Sequence, residues 1–238
     1  MGTDVYVLVN LVTFSIAPWG LARSVGVVAI LYEATLSPSK LELLQAWLPS
    51  QPWFVSAGST RVESVGSYRF DDPEGEVGIE THLVRTDEGR TYQVPVTYRG
   101  NPLSGAESFL ISSAQHSVLG ERWVYDATGD ITYVRALADI VFLGGHEATV
   151  DVLTANGPVR YETTTKVVGS GSLSNGVHVD ELLSVGNDNA STWILTADLK
   201  IVIPRVIEDI LAHEDEFSLR GTWPGQSEPI LLASIQRL

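Results

Sequence analysis

Histidines beside carboxylates are the first residues in this chain whose types could do chemistry, because two imidazoles one helical turn apart with a glutamate between them hold zinc and activate its water. His146-Glu147 and His213-Glu214 begin that pattern, but Val150 and Phe217 stand where the second ligand belongs. Both pairs therefore read as surface residues, and Asp215 and Glu216 extend the second into a solvated acidic face. Gly169-Ser170-Gly171 opens like a phosphate-cradling loop. Ser174 replaces the third glycine and no helical pattern follows, so the run GSGSLSNG from Gly169 to Gly176 reads as a flexible loop. His178-Val179-Asp180 has the H-x-D form of a phosphotransferase catalytic loop, in which an Asn five residues later would bind Mg²⁺; that position is Val185. The carboxylates Asp71, Asp72, Glu74 and Glu76 surround Pro73 and Gly75 in an evident turn, where exposure is expected. There is no cysteine, which removes thiol nucleophiles, disulfides and Cys-ligated zinc and leaves the compartment open.

Composition bounds the rest. The 238 residues are 44% hydrophobic and carry a formal charge of −14, enough chain for a buried core and a poor match for nucleic acid or anionic lipid. Val5 to Ala22 is uncharged, but Asn10, Thr13, Ser15, Pro18 and Gly20 interrupt it, and Asp4 precedes it where a signal peptide or anchor carries Lys or Arg. Membrane insertion is therefore not expected, and residues 1–26 read as an apolar extension ahead of a domain that opens near Val27.

The elements that must position any site follow from periodicity. Ser37-Pro38-Ser39-Lys40 starts a helix with proline at its first position, with Leu41, Leu44, Trp47 and Leu48 on one stripe. Tyr68–Phe70, Val77–Val84 and Thr91–Tyr98 read as strands, the last two a hairpin closed by Thr86-Asp87-Glu88-Gly89. Arg122–Tyr125 is a further strand. Asp130 caps a second helix with Ile131, Val134, Leu137 and Val141 at helical spacing, ended by Gly144-Gly145. Beyond Gly145 the texture is β: 148–153, 159–168, 181–185, 191–195, 199–203 and 230–235. The expected class is α+β, a curved, twisted antiparallel sheet with one or two packed helices, followed by a β-rich second half. Trp47, Trp53, Trp123, Trp193 and Trp223 read mostly as core anchors, with stacking on a carbohydrate as the alternative.

Leu43–Gly58 (LLQAWLPSQPWFVSAG) and the hairpin segment Gly78–Val96 resemble the opening of actinobacterial maltokinases. Leu36–Phe54, Phe70–Glu80, Val94–Glu107 and His116–Asp126 are similar to short actinobacterial proteins with a maltokinase cap-like domain. The resemblance implies a cystatin-like cap over 27–145. Residues 146–238 then correspond to the start of a kinase N-lobe, with Glu228–Arg237 resembling the hinge strand. On that mapping Ser191 and Thr192 fall in a nucleotide-covering loop and Lys200 becomes the phosphate-binding lysine, making ATP with Mg²⁺ the implied cofactor. The catalytic loop and metal ligands of these kinases lie after the hinge, and nothing in this sequence supplies them. The resemblance thus implies a cytoplasmic, non-catalytic module, accessory or regulatory in maltose, trehalose and glycogen metabolism, whose partner is a sugar kinase or glycogen-pathway enzyme. The alternatives are an ATP-binding half-kinase completed by another chain and a carbohydrate-binding β protein.

Overall fold

In a computed structural model, residues 7–8, 30–31, 35–55, 58–154, 157–161, 163–207 and 217–238 are described, the side chains of 7–8, 30–31 and 150–161 excepted. Most of the apolar extension 1–26 and the acidic run 213–216 lie outside the described residues. Short strands β1 (Val7–Leu8) and β2 (Ile30–Leu31) precede β3 (Leu36–Ser37) and helix α1 (Lys40–Trp47). Then come β4 (Val62–Phe70), β5 (Gly78–Thr86), β6 (Thr91–Arg99), β7 (Leu110–His116), β8 (Gly120–Asp126) and helix α2 (Ile131–Leu143). The second half adds β9 (Val150–Thr154), β10 (Gly157–Tyr161), β11 (Lys166–Gly169), β12 (Ser184–Asn187), β13 (Ser191–Leu195), β14 (Leu199–Pro204), β15 (Phe217–Trp223) and β16 (Gln226–Arg237).

Two six-stranded sheets result, with orders β3-β7-β8-β6-β5-β4 and β11-β15-β16-β14-β13-β12, plus a small sheet β1-β2-β9-β10. Both large sheets are antiparallel throughout. The first is the curved, twisted sheet, and a bulge between Ser64 and Gly66 bends its β4 edge. That extra residue also switches faces. Val62 packs toward α1, whereas Tyr68 and Phe70, at the same parity, pack toward α2.

The first sheet is covered on both faces. On one, Leu43, Leu44 and Leu48 meet Val84, Tyr92, Val94 and Val96. On the other, Tyr68, Phe70, Ile79 and Leu83 share a core with α2 and with Ile194, Leu199, Ile201, Leu219 and Leu232 of the second sheet. Helix α2 lies between sheets, which is why Tyr133, Val134, Ala136, Leu137, Ala138, Val141 and Phe142 are all buried instead of one stripe alone. Each large apolar side chain removed from water there contributes about 1.5–3 kcal/mol.

Three expectations change. Helix α1 is capped by Ser39, whose hydroxyl accepts from Glu42 N while Glu42 Oε2 accepts from Ser39 N; Pro38 stands before the cap, and the reciprocal bonds fix the start at Lys40, two residues later than proline would. Residues 159–168 form two strands, β10 and β11, in different sheets. The glycine-rich run is held in place: Gly171 N donates to Val141 O at 2.8 Å and Leu173 N to Phe142 O at 2.9 Å, satisfying carbonyls that α2 leaves open at its C-terminus. A Cβ on Gly169 or Gly171 would lie 2.0 or 2.1 Å from the Ile140 or Phe142 carbonyl oxygen, so these glycines serve close backbone approach.

Candidate functional site

The two halves are joined where β8 pairs with only the end of β6, from Val96 to Arg99. The exposed start of β6 is taken up by the segment after β14: Gln93 N donates to Arg205 O and Ile207 N to Thr91 O, both at 2.9 Å. The Gln93 side chain, buried on the inner face, donates through Nε2 to Pro204 O at 3.0 Å and Leu232 O at 2.8 Å and accepts from Tyr68 Oη.

This chain path carries Arg205 into the interior, where it is fully buried. Its Nη2 donates to Asp126 Oδ2 at 2.5 Å and to Thr128 Oγ1 at 3.2 Å, its Nε to Thr192 Oγ1 at 2.7 Å, and its guanidinium lies 4.9 Å from the Trp53 ring. Asp126 ends β8, and its Oδ1 accepts Thr128 N and Thr128 Oγ1, closing the turn into α2. Thr192 in turn donates to Asn187 Oδ1. Asp126, Thr128, Thr192 and Asn187 form the polar floor of a cavity of about 230 Å³, walled by Trp47, Gln51, Phe109 and Val185.

Through Ser108, Phe109 and Val185 this cavity runs into a wider groove of about 610 Å³. One wall is the Leu103–Phe109 segment with Gly129 and Ile131, and the other is Asp180–Val185. The second wall has little regular structure but is fastened. Arg135 of α2 donates to Val179 O at 2.6 Å and Asp180 O at 3.0 Å, Val179 is buried, and Gly176 passes so close to Asp139 that a Cβ would meet Oδ1 at 2.2 Å. Neither half alone makes the groove.

The sequence candidates are placed as follows. Ser191 and Thr192 lie in strand β13, not in a loop, and Lys200 lies in β14. Ser191 pairs with Pro204 and Lys200 with Leu195, so Ser191 and Lys200 share the outer face four residues apart along the ladder, while Thr192 points inward to Arg205. The three do not converge on one cavity, and their arrangement does not fit a cradle for ATP phosphates and Mg²⁺. His146 Nδ1 contacts Val167 O, and Glu147 accepts Val167 N and pairs with Lys166 at 3.1 Å, so this pair anchors β11. His178 and Asp180 are exposed, with His178 Nε2 2.6 Å from Asp180 Oδ1. Asp72, expected at the surface, is buried because its carboxylate accepts Glu74 N, Glu76 N and Val77 N to build the turn. Trp53 and Trp223 are core anchors; Trp47, Trp123 and Trp193 are half-buried. Among the described residues, no group of three or more His, Asp or Glu side chains is placed to hold a metal ion, and no helix is long and apolar enough to cross a membrane.

A second charged cluster lies under α1. Glu80 is buried with Lys40 Nζ at 2.6 Å, His82 Nε2 at 3.8 Å and Arg69 Nη1 at 3.9 Å; burial alone would raise its carboxyl, but these neighbours, Lys40 foremost, hold it well below the usual range. His82 is pushed down to about 4, chiefly by burial, with Lys40 and Arg69 adding to the effect and Glu80 opposing it; its Nε2 contacts Tyr98 Oη at 3.0 Å. A histidine whose folded value lies below its unfolded one leaves the unfolded chain binding more protons, so its contribution to stability is present above about pH 6.5 and lost as pH falls toward 4. Stability should therefore fall by about 2 kcal/mol from this group between pH 7 and pH 5, above the range in which Glu80 titrates. Urea denaturation at the two pH values checks it: His82→Gln should flatten the slope, and an unchanged slope would refute the assignment.

Residues 47–130 match the family model of the maltokinase N-terminal cap domain. That stretch runs from the last residue of α1 through the first sheet to the Asp130 cap of α2, and it holds Trp53, Gln93, Asp126 and the Leu103–Phe109 wall. No curated protein matches the chain.

Sequence reasoning missed Arg205, Asp126 and the groove. Asp126 closes the segment His116–Asp126 that carries the resemblance. The only available signal was a lone arginine following an apolar strand, which in one sequence cannot be told from a surface residue.

Proposed function

We propose that this chain is a non-catalytic, cap-like module that works in the cytoplasm as an accessory or regulatory partner of a sugar-phosphorylating or glycogen-pathway enzyme. The observation that carries the reading is the cap-domain match over residues 47–130. The placement of Lys200, Ser191 and Thr192 supports it, since phosphoryl transfer rests on positioned cations and metal around the nucleotide phosphates, and these three side chains point to two faces of a sheet. The balance of 15 cationic to 29 acidic residues also disfavours a phosphate-rich ligand. The test is a radiolabelled-ATP assay on the purified protein with maltose and with glucosamine. No sugar phosphate above the no-protein control is expected, and Mg-ATP titrated calorimetrically should give the same null trace with Lys200→Ala as with the parent. Accumulation of sugar phosphate would overturn the reading.

A further inference from the structure

The second sheet ends at β12, which pairs with β13 on one side and with no described strand on the other. In an antiparallel ladder alternate residues turn their N–H and C=O groups away from the partner, so an edge strand is a template for another extended chain. Edges that must stay unpaired usually carry lysine, proline or a covering element. β12 is Ser-Val-Gly-Asn, with no charge and no proline, and it leads directly out of the groove wall Asp180–Val185.

The groove matches such an addition in shape and chemistry. Its inner surface is apolar where Phe109, Ile131, Leu182 and Val185 line it, which suits the inward side chains of an added strand at every second position. Its rim carries two exposed carboxylates, Glu181 and Asp180, the second beside the exposed His178 at 2.6 Å, and no lysine or arginine lines it. The wall is fixed in advance by Arg135 and by the packing of Val177, Val179 and Leu182 on the core, so little ordering is left to oppose binding.

Resting on the reading of the chain as an accessory module, we propose that this groove is where the partner is held: an extended segment of the partner polypeptide, apolar at alternate positions and flanked by Lys or Arg, pairs with the free edge of β12 and sets its cations against Asp180 and Glu181. Charge selects this occupant over a second copy of the chain. Edge-to-edge pairing of two β12 strands would bring two acidic rims together on molecules that each carry −14.

Fluorescence anisotropy with the full chain and labelled nonapeptides of alternating Lys and Val tests this, with alternating Glu and Val as the counterpart. The Lys-Val peptide should bind at least tenfold more tightly than the Glu-Val peptide. Binding should weaken at least tenfold in the exposed-site double variant Asp180→Lys/Glu181→Lys, but not in Glu63→Lys/Glu121→Lys, which removes the same charge elsewhere. At saturation, amide exchange at 184–187 should slow at least tenfold. The proposal is overturned by absence of binding to millimolar peptide, by equal loss in both double variants, by unslowed exchange at 184–187, or by sedimentation showing a dimer that protects β12 by itself. None of these outcomes bears on the ATP assay, so the groove and the non-catalytic reading fail separately.

Discussion

Arg205→Ala should lower the unfolding free energy by about 3–5 kcal/mol, the cost of leaving a buried carboxylate without its cation. Asp126 is buried and its Oδ2 faces Arg205 Nη2, so removal of the guanidinium strands a negative charge between the halves. Thr192 Oγ1 would lose its donor and the Trp53 ring its cation at the same time. Arg205→Lys should recover only part of the loss, because a single ammonium cannot reach Asp126 and Thr192 together as the planar fork does. Urea denaturation measures both. Where the alanine variant does not fold, Asp126→Asn supplies the readout, since it keeps the shape and weakens the same contact. A loss below about 1 kcal/mol for Arg205→Ala would show that the junction is held by apolar packing and not by this pair.

Gly171→Ala should be the other costly change. The new methyl would sit 2.1 Å from the Phe142 carbonyl oxygen and 2.5 Å from the carbon behind it, both backbone atoms of α2. Neither can swing aside like a side-chain end, so the loop must lift and give up its bonds to Val141 O and Phe142 O. Overpacking of this kind costs about 1–3 kcal/mol, with two helix-terminal carbonyls left to water in addition. The amide of Leu173 should exchange markedly faster. Ser174→Ala in the same run is exposed and should be neutral, and equal behaviour of the two variants would show that the run is not a clamp.

The glycine run shows what a single sequence can and cannot reveal. Gly and Ser in alternation look the same whether they confer freedom or allow two backbones to touch, and only the position of α2 decides between them. Elements whose signals are local were legible: the β5–β6 hairpin from Thr86 to Gly89, the Asp130 cap with its helical stripe, and β13 and β14. Strand β7 escaped because Leu110–His116 mixes Ser, Gln and His with apolar residues and is exposed at several positions. Strand β15 was overlooked between a charged run and Pro224. The groove could not be read at all. Its walls lie at least 49 residues apart in sequence, from Ile131 to Asp180, and each is unremarkable until Arg135 and the core bring them opposite one another.

The order of strands in the second sheet also sets a timetable for the ribosome. β16 follows every other described strand in the chain, yet it lies between β15 and β14 in the interior of its sheet. Gln93 finds its Leu232 acceptor only after 139 further residues have been made. Contacts of such separation carry a large loop-closure cost and form late. While β16 is still being made, β14 and β15 lack their shared neighbour, and the inner face of the first sheet keeps Tyr68, Phe70 and Leu83 without part of their cover. The nascent protein therefore presents unsatisfied strand edges and an apolar face during synthesis. This interval, more than the finished fold, is when its apolar face and strand edges are open to aggregation.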